Sequence, residues 1–410
     1  MCITMRATKP GSKKAMRSDV IPDKYVYAWL LAIIIAGLAI AAYFYSGPFY
    51  AFDDGQYIIY ARQMIQGNFS IASGYLAFGY LTPMTVAASF LIFGQSPFSA
   101  ALPSIVEYVL IIMLAFLVGR EMFDNSTGLA ASFIIIISPT VFGYATRVLP
   151  DMLIGVLVGA ALYAFASGTK KGRNSALLIF ASGFFFGMVI FVKMGGGFAV
   201  LPALIGVFVF YRKAIINFAS GMFASVMLYF ASFYALSGGH LSLISEYSST
   251  QAALMPHGYL ALNFITMLDM VAGPVQIYQV YPLGLTVIFA FISTYMAIAR
   301  KDRSLCYLSL IFWFAFFYLF YGTESLSQYA FITVVNRYLI AVSVPLVLLA
   351  AFVLVDLYRV CEAILGKRLA VSIFIILILL TVASNLPAYG DVYAFKNYIL
   401  NNPAPPGFFG

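Results

Sequence analysis

Long apolar runs recur along this chain from Tyr25 to Leu386, and they constrain its fold more than any motif does. Each holds roughly twenty residues, the length at which a helix crosses ~30 Å of hydrocarbon. The runs are continuous rather than alternating, so the spanning elements are helices and not barrel strands. Hydrophobic residues make up 63% of the chain and charged residues 9%, whereas a soluble domain is about half apolar and about a quarter charged. The reading is an all-α polytopic transmembrane protein with about eleven spans: 25–46, 102–119, 129–145, 151–167, 176–192, 197–211, 214–236, 281–299, 305–321, 338–356 and 369–386. The stretch 79–94 is apolar but short and contains Pro83. It stays open between an interfacial helix, a partly inserted helix and a span.

The formal charge of +8 would suit a nucleic-acid binder, but its distribution argues otherwise. Arg6, Lys9, Lys13, Lys14, Arg17 and Lys24 precede the first run, and later basic residues cluster in short connections. Cationic loops of membrane proteins face the cytoplasm. The first run is too long for the core of a cleaved signal peptide. It reads as a retained span with the N-terminus cytoplasmic, in an integral protein of the cell membrane. Threading the spans this way puts all but five of the 23 Lys and Arg on the cytoplasmic side. The five are Arg62, Arg147, Lys193, Arg337 and Lys396.

The predicted organisation is a basic tail (1–24), a transmembrane domain (25–386) and a short outer tail (387–410). Residues 47–100 and 237–278 are long outer loops. Cys2, Cys306 and Cys361 have no metal spacing and fall on the cytoplasmic side, which argues against disulfides. No nucleotide-binding motif or internal repeat is present.

The outer side carries the unusual residues. Asp53 and Asp54 are adjacent, just beyond the first span. They open a segment in which Tyr57, Ile58, Ala61, Met64 and Ile65 recur at helical spacing, as in a helix lying in the interface. Loop solvation or helix capping would explain two acids there, and so would chemistry. Arg147 and Asp151 lie four residues apart, either as a local ion pair across a turn or as a second charged group joining the first. Lys193 precedes Gly195, Gly196 and Gly197, and Arg337-Tyr338 opens a span from the outside. Snorkelling and interface anchoring are the structural explanations for these cations; phosphate binding is the functional one. His240 and His257 share a loop with Glu246 and Asp269, a weak metal signal. No motif calls for a cofactor, and a divalent metal is left open.

In this order the features resemble the GT-C glycosyltransferases that use polyprenyl-phosphate sugars, such as protein O-mannosyltransferases and lipid A aminoarabinose transferases. The resemblance covers about Tyr25 to Ile205, with an echo at 334–350. Its elements are Asp53-Asp54; Tyr57, Ala61-Arg62 and Gly67; Phe93-Gly94 through Ser99; and Leu102-Pro103-Ser104. Gly119-Arg120 with Phe123, Ser138-Pro139, Arg147 with Asp151, Gly183 and Gly187 with Lys193, and Arg337-Tyr338 complete the series. The chain differs from many members in having Leu81-Thr82-Pro83 where a basic or histidine residue precedes Pro-Pro, and Asp54 in place of Glu.

The resemblance implies transfer of one sugar from a polyprenyl-phosphate donor to a protein, lipid or glycan acceptor at the outer face. Asp53 is implied as the general base, with Asp54 and Asp151 orienting the sugar, the acceptor or a metal. Arg337, Lys193 and Arg147 would meet the donor phosphate. Tyr57, Arg62 and Tyr338 are possible substrate contacts. Membrane lipids are expected partners and nucleic acid is not. A transporter or lipid or sugar flippase is the competing reading, and a catalytically inactive subunit a third.

Overall fold

The computed structural model describes residues 22–45, 53–68, 79–170, 175–193, 198–236, 284–321 and 336–401. These residues form helices and turns, with no strand among them. His240, His257, Gly195, Gly196 and Gly197 lie outside the described residues.

The helices are α1 (Asp23–Tyr43), α2 (Asp53–Ile65), α3 (Leu81–Phe93), α4 (Pro97–Met122), α5 (Asn125–Ile136), α6 (Pro139–Phe142), α7 (Pro150–Thr169), α8 (Ala176–Val192), α9 (Val200–Phe210), α10 (Ile215–Leu236), α11 (Leu285–Arg300), α12 (Arg303–Tyr321), α13 (Ser343–Leu365), α14 (Lys367–Ser384) and α15 (Leu386–Asn401). A 3-10 turn over Asn336–Val342 leads into α13. Among the described residues, six helical stretches are long and apolar enough to cross a membrane: Asp23–Tyr43, Pro97–Met122, Pro150–Thr169, Arg212–Ala235, Arg337–Leu365 and Lys367–Ser384. The other five expected spans are apolar helices too, but shorter. The chain is an all-α polytopic membrane protein.

Local chemistry sets the helix ends. Ser96 caps α4 by accepting from the Ser99 amide, and the Ser99 hydroxyl accepts from the Ser96 amide. That box starts the helix five residues before the span expected at 102–119. Asp124 caps α5 through the Thr127 amide at 2.8 Å. The span expected at 129–145 is interrupted because Pro139 has no amide to donate and holds Ser138 in an extended conformation. At Gly366 the backbone turns through φ 82°, which lets α14 fold back on α13 in one step. Residues 79–94 supply α3, whose 13 residues fall short of the roughly twenty a full span needs. The tail expected after residue 386 contains α15.

α13 runs through the centre of the bundle against α5, α11 and α14, and α4 lies between α5 and α7. The closest pairing joins α8 to α10. A β-carbon at Gly183 would overlap the Phe218 carbonyl oxygen, and one at Gly221 the Phe180 carbonyl oxygen. Small residues therefore let two backbones approach as transmembrane helices commonly do. α2 and α3 form a smaller apolar unit with Val148, in which Tyr57, Ile58 and Ala61 are buried and Met64 and Ile65 pack beside them. This is the helical face expected from the sequence. At one end of the bundle, ion pairs join Lys170 to Glu121, Arg359 to Asp124 and Arg300 to Asp356.

Candidate active site

The N-termini of α2 and α7, the C-terminus of α8 and the 3-10 turn before α13 meet at the opposite end. Asp53 and Asp54 occupy the first turn of α2, and Asp151 the first turn of α7, where the helix dipole favours carboxylates. Arg147 lies in the turn before α7, Lys193 caps the end of α8, and Arg337 lies in the 3-10 turn. Three acids and three cations are thus gathered from four separate stretches of chain.

The three acids have different environments. Asp54 is fully buried. Arg147 donates to it from Nε at 3.0 Å and Nη2 at 2.5 Å, and the Val148 amide donates to Oδ1 at 2.7 Å. Its capacity is spent within the protein. Asp151 is also buried, and its Oδ2 accepts no hydrogen bond; the nearest cationic nitrogen is Arg337 Nε at 3.7 Å. Asp53 is the accessible one, with 30% of its side chain exposed, and it accepts from Arg337 Nη2 at 2.7 Å. Arg337 therefore faces both Asp53 and Asp151, and its Nε makes no hydrogen bond.

The Lys193 ammonium sits 3.7 Å from the centre of the Tyr338 ring, and the Arg337 guanidinium carbon lies 5.6 Å from the same ring. Tyr338 holds two cations near one another through its π face. Arg337 thus presents positive charge to the exposed carboxylate, and Lys193 shares the Tyr338 ring with it.

The structure separates the expected residues. Arg147, expected as a phosphate cation, is buried and committed to Asp54, and it does not pair locally with Asp151. Asp54, expected to orient substrate, is sealed off by the same pair. Tyr57 is buried in the face between α2 and α3. Arg62 is half-buried in the last turn of α2, about 13 Å along the helix from Asp53. Among the described residues no three His, Cys, Asp or Glu side chains could hold a metal ion, and the two acids that converge are bridged by a guanidinium.

Two supporting residues had not been singled out for a role. The Ser104 hydroxyl, at the end of the Leu102-Pro103-Ser104 motif, donates to the Arg147 carbonyl at 2.5 Å. Tyr144 is buried in the turn before α7. Burial pushes its hydroxyl up to about 12; Arg147 and Arg337 oppose the rise, and Asp151 and Asp54 add to it. It therefore stays protonated beside the cluster. Its only signal in sequence was its position in the turn that carries Arg147.

Residues 79–238 match the model of the dolichyl-phosphate-mannose-protein mannosyltransferase family. ArnT from Cupriavidus metallidurans, in its structure bound to undecaprenyl phosphate, superposes with a TM-score of 0.62 at 14% identity. That match covers 93% of this chain and 76% of ArnT. The chain has the GT-C fold. The Archaeoglobus fulgidus oligosaccharyltransferase, in its complex with zinc and sulfate, gives a TM-score of 0.58 at 16% identity over 90% of this chain. AglB from the same organism, in complex with an inhibitory peptide and a dolichol-phosphate, gives 0.57 at 16% identity over 91% of this chain. The chain spans about half the length of these oligosaccharyltransferases, 53% and 56%. No protein curated for its function matches the chain by sequence. The resemblance to polyprenyl-phosphate-dependent GT-C transferases, read from the ordered motifs, therefore stands in the fold. The matched segment holds Arg147, Asp151 and Lys193, while Asp53 precedes it and Arg337 follows it.

Proposed function

We propose that this chain is a membrane glycosyltransferase that moves one sugar from a polyprenyl-phosphate carrier to a hydroxyl of a protein, lipid or glycan acceptor at the outer face of the membrane. The family match and the lipid-phosphate complexes of ArnT and AglB support the donor class. One observation carries the site assignment: of the three clustered acids, only Asp53 is exposed, and it accepts from Arg337.

In this reading Asp53 is the general base. An acceptor hydroxyl is a weak nucleophile, and a carboxylate within hydrogen-bond reach takes its proton as oxygen attacks the anomeric carbon. The C–O bond to the carrier phosphate breaks, and the electron pair leaves on phosphate. Arg337 and Lys193 stabilise that charge; a guanidinium facing two acids still has N–H groups for a phosphate oxygen. Asp151, buried with its Oδ2 3.7 Å from Arg337 Nε, orients that guanidinium toward the substrate. A single displacement inverts the anomeric centre. Asp54 and Arg147 have no part in the chemistry and hold α2 in place.

The transporter reading has less support. Transporters bind substrate near the midplane on broken helices, whereas these charges sit at helix ends on one side of the bundle. The test is Asp53→Asn, assayed in membranes with radiolabelled polyprenyl-phosphate sugar. Transfer should fall by roughly 10²–10⁴-fold, the usual contribution of a general base, with thermal stability retained. Wild-type transfer would overturn the assignment.

A further inference from the structure

Away from the acid cluster's own residues, α1, α5, α13 and α14 enclose a cavity of about 560 Å³, open along one side. Trp29, Ile33, Leu129, Phe133, Val371 and Phe374 form much of its wall. Polar groups are confined to a few places, and Lys367 lines one end. From Lys367 to Thr381, both in the wall, the groove follows α14 for about 21 Å at the α-helical rise. That exceeds the depth of one leaflet, half of roughly 30 Å. The volume lies within the ~300–1,000 Å³ of sites that take small apolar ligands.

The Lys367 end has the chemistry of a lipid headgroup site. Lys367 is exposed and makes no ion pair among the described residues, whereas Arg359 one helix away is committed to Asp124 at 2.9 Å. Arg368 adjoins it, and α14 begins there without a side-chain cap, so its first amides and dipole favour an anion. Trp29 is half-exposed at the same end, in the position of an interfacial anchor. This end also bears the Lys170–Glu121 and Arg300–Asp356 pairs, away from the candidate active site.

We propose that this groove holds one acyl chain of an anionic phospholipid, with the lipid phosphate against Lys367 and the start of α14. The argument rests on charge complementarity at one end of an apolar channel of chain length. It is independent of the glycosyltransferase reading, because none of these residues touches Asp53 or Arg337.

The test uses the full chain purified in detergent, with lipid binding followed by native mass spectrometry and thermal unfolding. The probes are dioleoyl-phosphatidylglycerol, dioleoyl-phosphatidylcholine and undecaprenyl phosphate. Phosphatidylglycerol should be retained and should raise the unfolding midpoint more than phosphatidylcholine. Lys367→Gln should lower phosphatidylglycerol affinity about fivefold, equivalent to the ~1 kcal/mol that one basic residue contributes at an anionic lipid surface. Ala130→Trp, which fills the groove from α5, should abolish retention. Equal binding of the two phospholipids, or wild-type retention by both variants, would overturn the proposal. Displacement of phosphatidylglycerol by undecaprenyl phosphate, blocked by Ala130→Trp, would also overturn it by assigning the groove to a polyprenyl carrier.

Discussion

Removing the Asp54 carboxylate should lower this protein's stability rather than alter its chemistry directly. Asp54→Ala leaves the Arg147 guanidinium, only 7% exposed, without the acid that receives three of its hydrogen bonds. Breaking one side of a buried ion pair costs about 3–5 kcal/mol, because the remaining charge stays desolvated. The Val148 amide loses its acceptor as well, but that loss overlaps with the first and is not added to it. In a chain of this size each kcal/mol moves the thermal midpoint by less than the ~2–4 °C of smaller domains, so a fall of roughly 5 °C is expected. Asp54→Asn keeps an acceptor for Val148 and should recover about 1 kcal/mol. Asp54→Leu with Arg147→Met removes both charges and leaves mainly the unpaired amide, about 1–3 kcal/mol. The double variant should therefore be more stable than Asp54→Ala. The assay is thermal unfolding in detergent, read as loss of the monodisperse peak on size-exclusion chromatography. An Asp54→Ala midpoint within a degree of wild type would refute this reasoning. So would a double variant less stable than the single one.

Two further outcomes follow from the same structure. Arg337→Lys keeps the charge but loses the fork that faces Asp53 and Asp151 together. Steady-state assays should show KM for the lipid donor rising by more than KM for the acceptor; equal rises would contradict phosphate binding. Gly183→Leu pushes a side chain into the Phe218 carbonyl, which as backbone cannot move aside. It should cost at least the ~1–3 kcal/mol of an overpacked core and sharply lower the folded yield in detergent. A wild-type yield and midpoint would show that α8 and α10 do not approach as described.

Helices were readable from the sequence because their causes are local. Apolar length places them, and residues such as Ser96, Asp124 and Pro139 set their ends. α15 was missed because it is too short for a search based on spans. Its buried positions, Ala388, Val392 and Ile399, are spaced four and seven residues apart, a helical pattern in a tail expected to be only a tail. The charged residues were conspicuous as isolated ions in an apolar chain, but their partners were not. Arg147 and Asp151 are four apart, which suggests a pair only if both lie on one helix. α7 begins at Pro150, so Arg147 falls in the preceding turn and is free to reach α2. Burial then separated Asp53 from Asp54, a difference that adjacent identical residues cannot show in sequence.

The pairing of Asp53 with Arg337 also sets a schedule for biosynthesis. The partners are 284 residues apart, so at ~5–20 residues per second the arginine is made roughly 15–60 s after the acid. Asp151 is made within that interval. Until the turn before α13 exists, the two acids have no guanidinium between them, and bringing them together in a poorly hydrated setting is repulsive. The α2 and α7 ends therefore have reason to stay apart, or in contact with water, while the intervening helices are inserted. Closure of this end of the bundle becomes a late assembly event, timed by the arrival of a single cation.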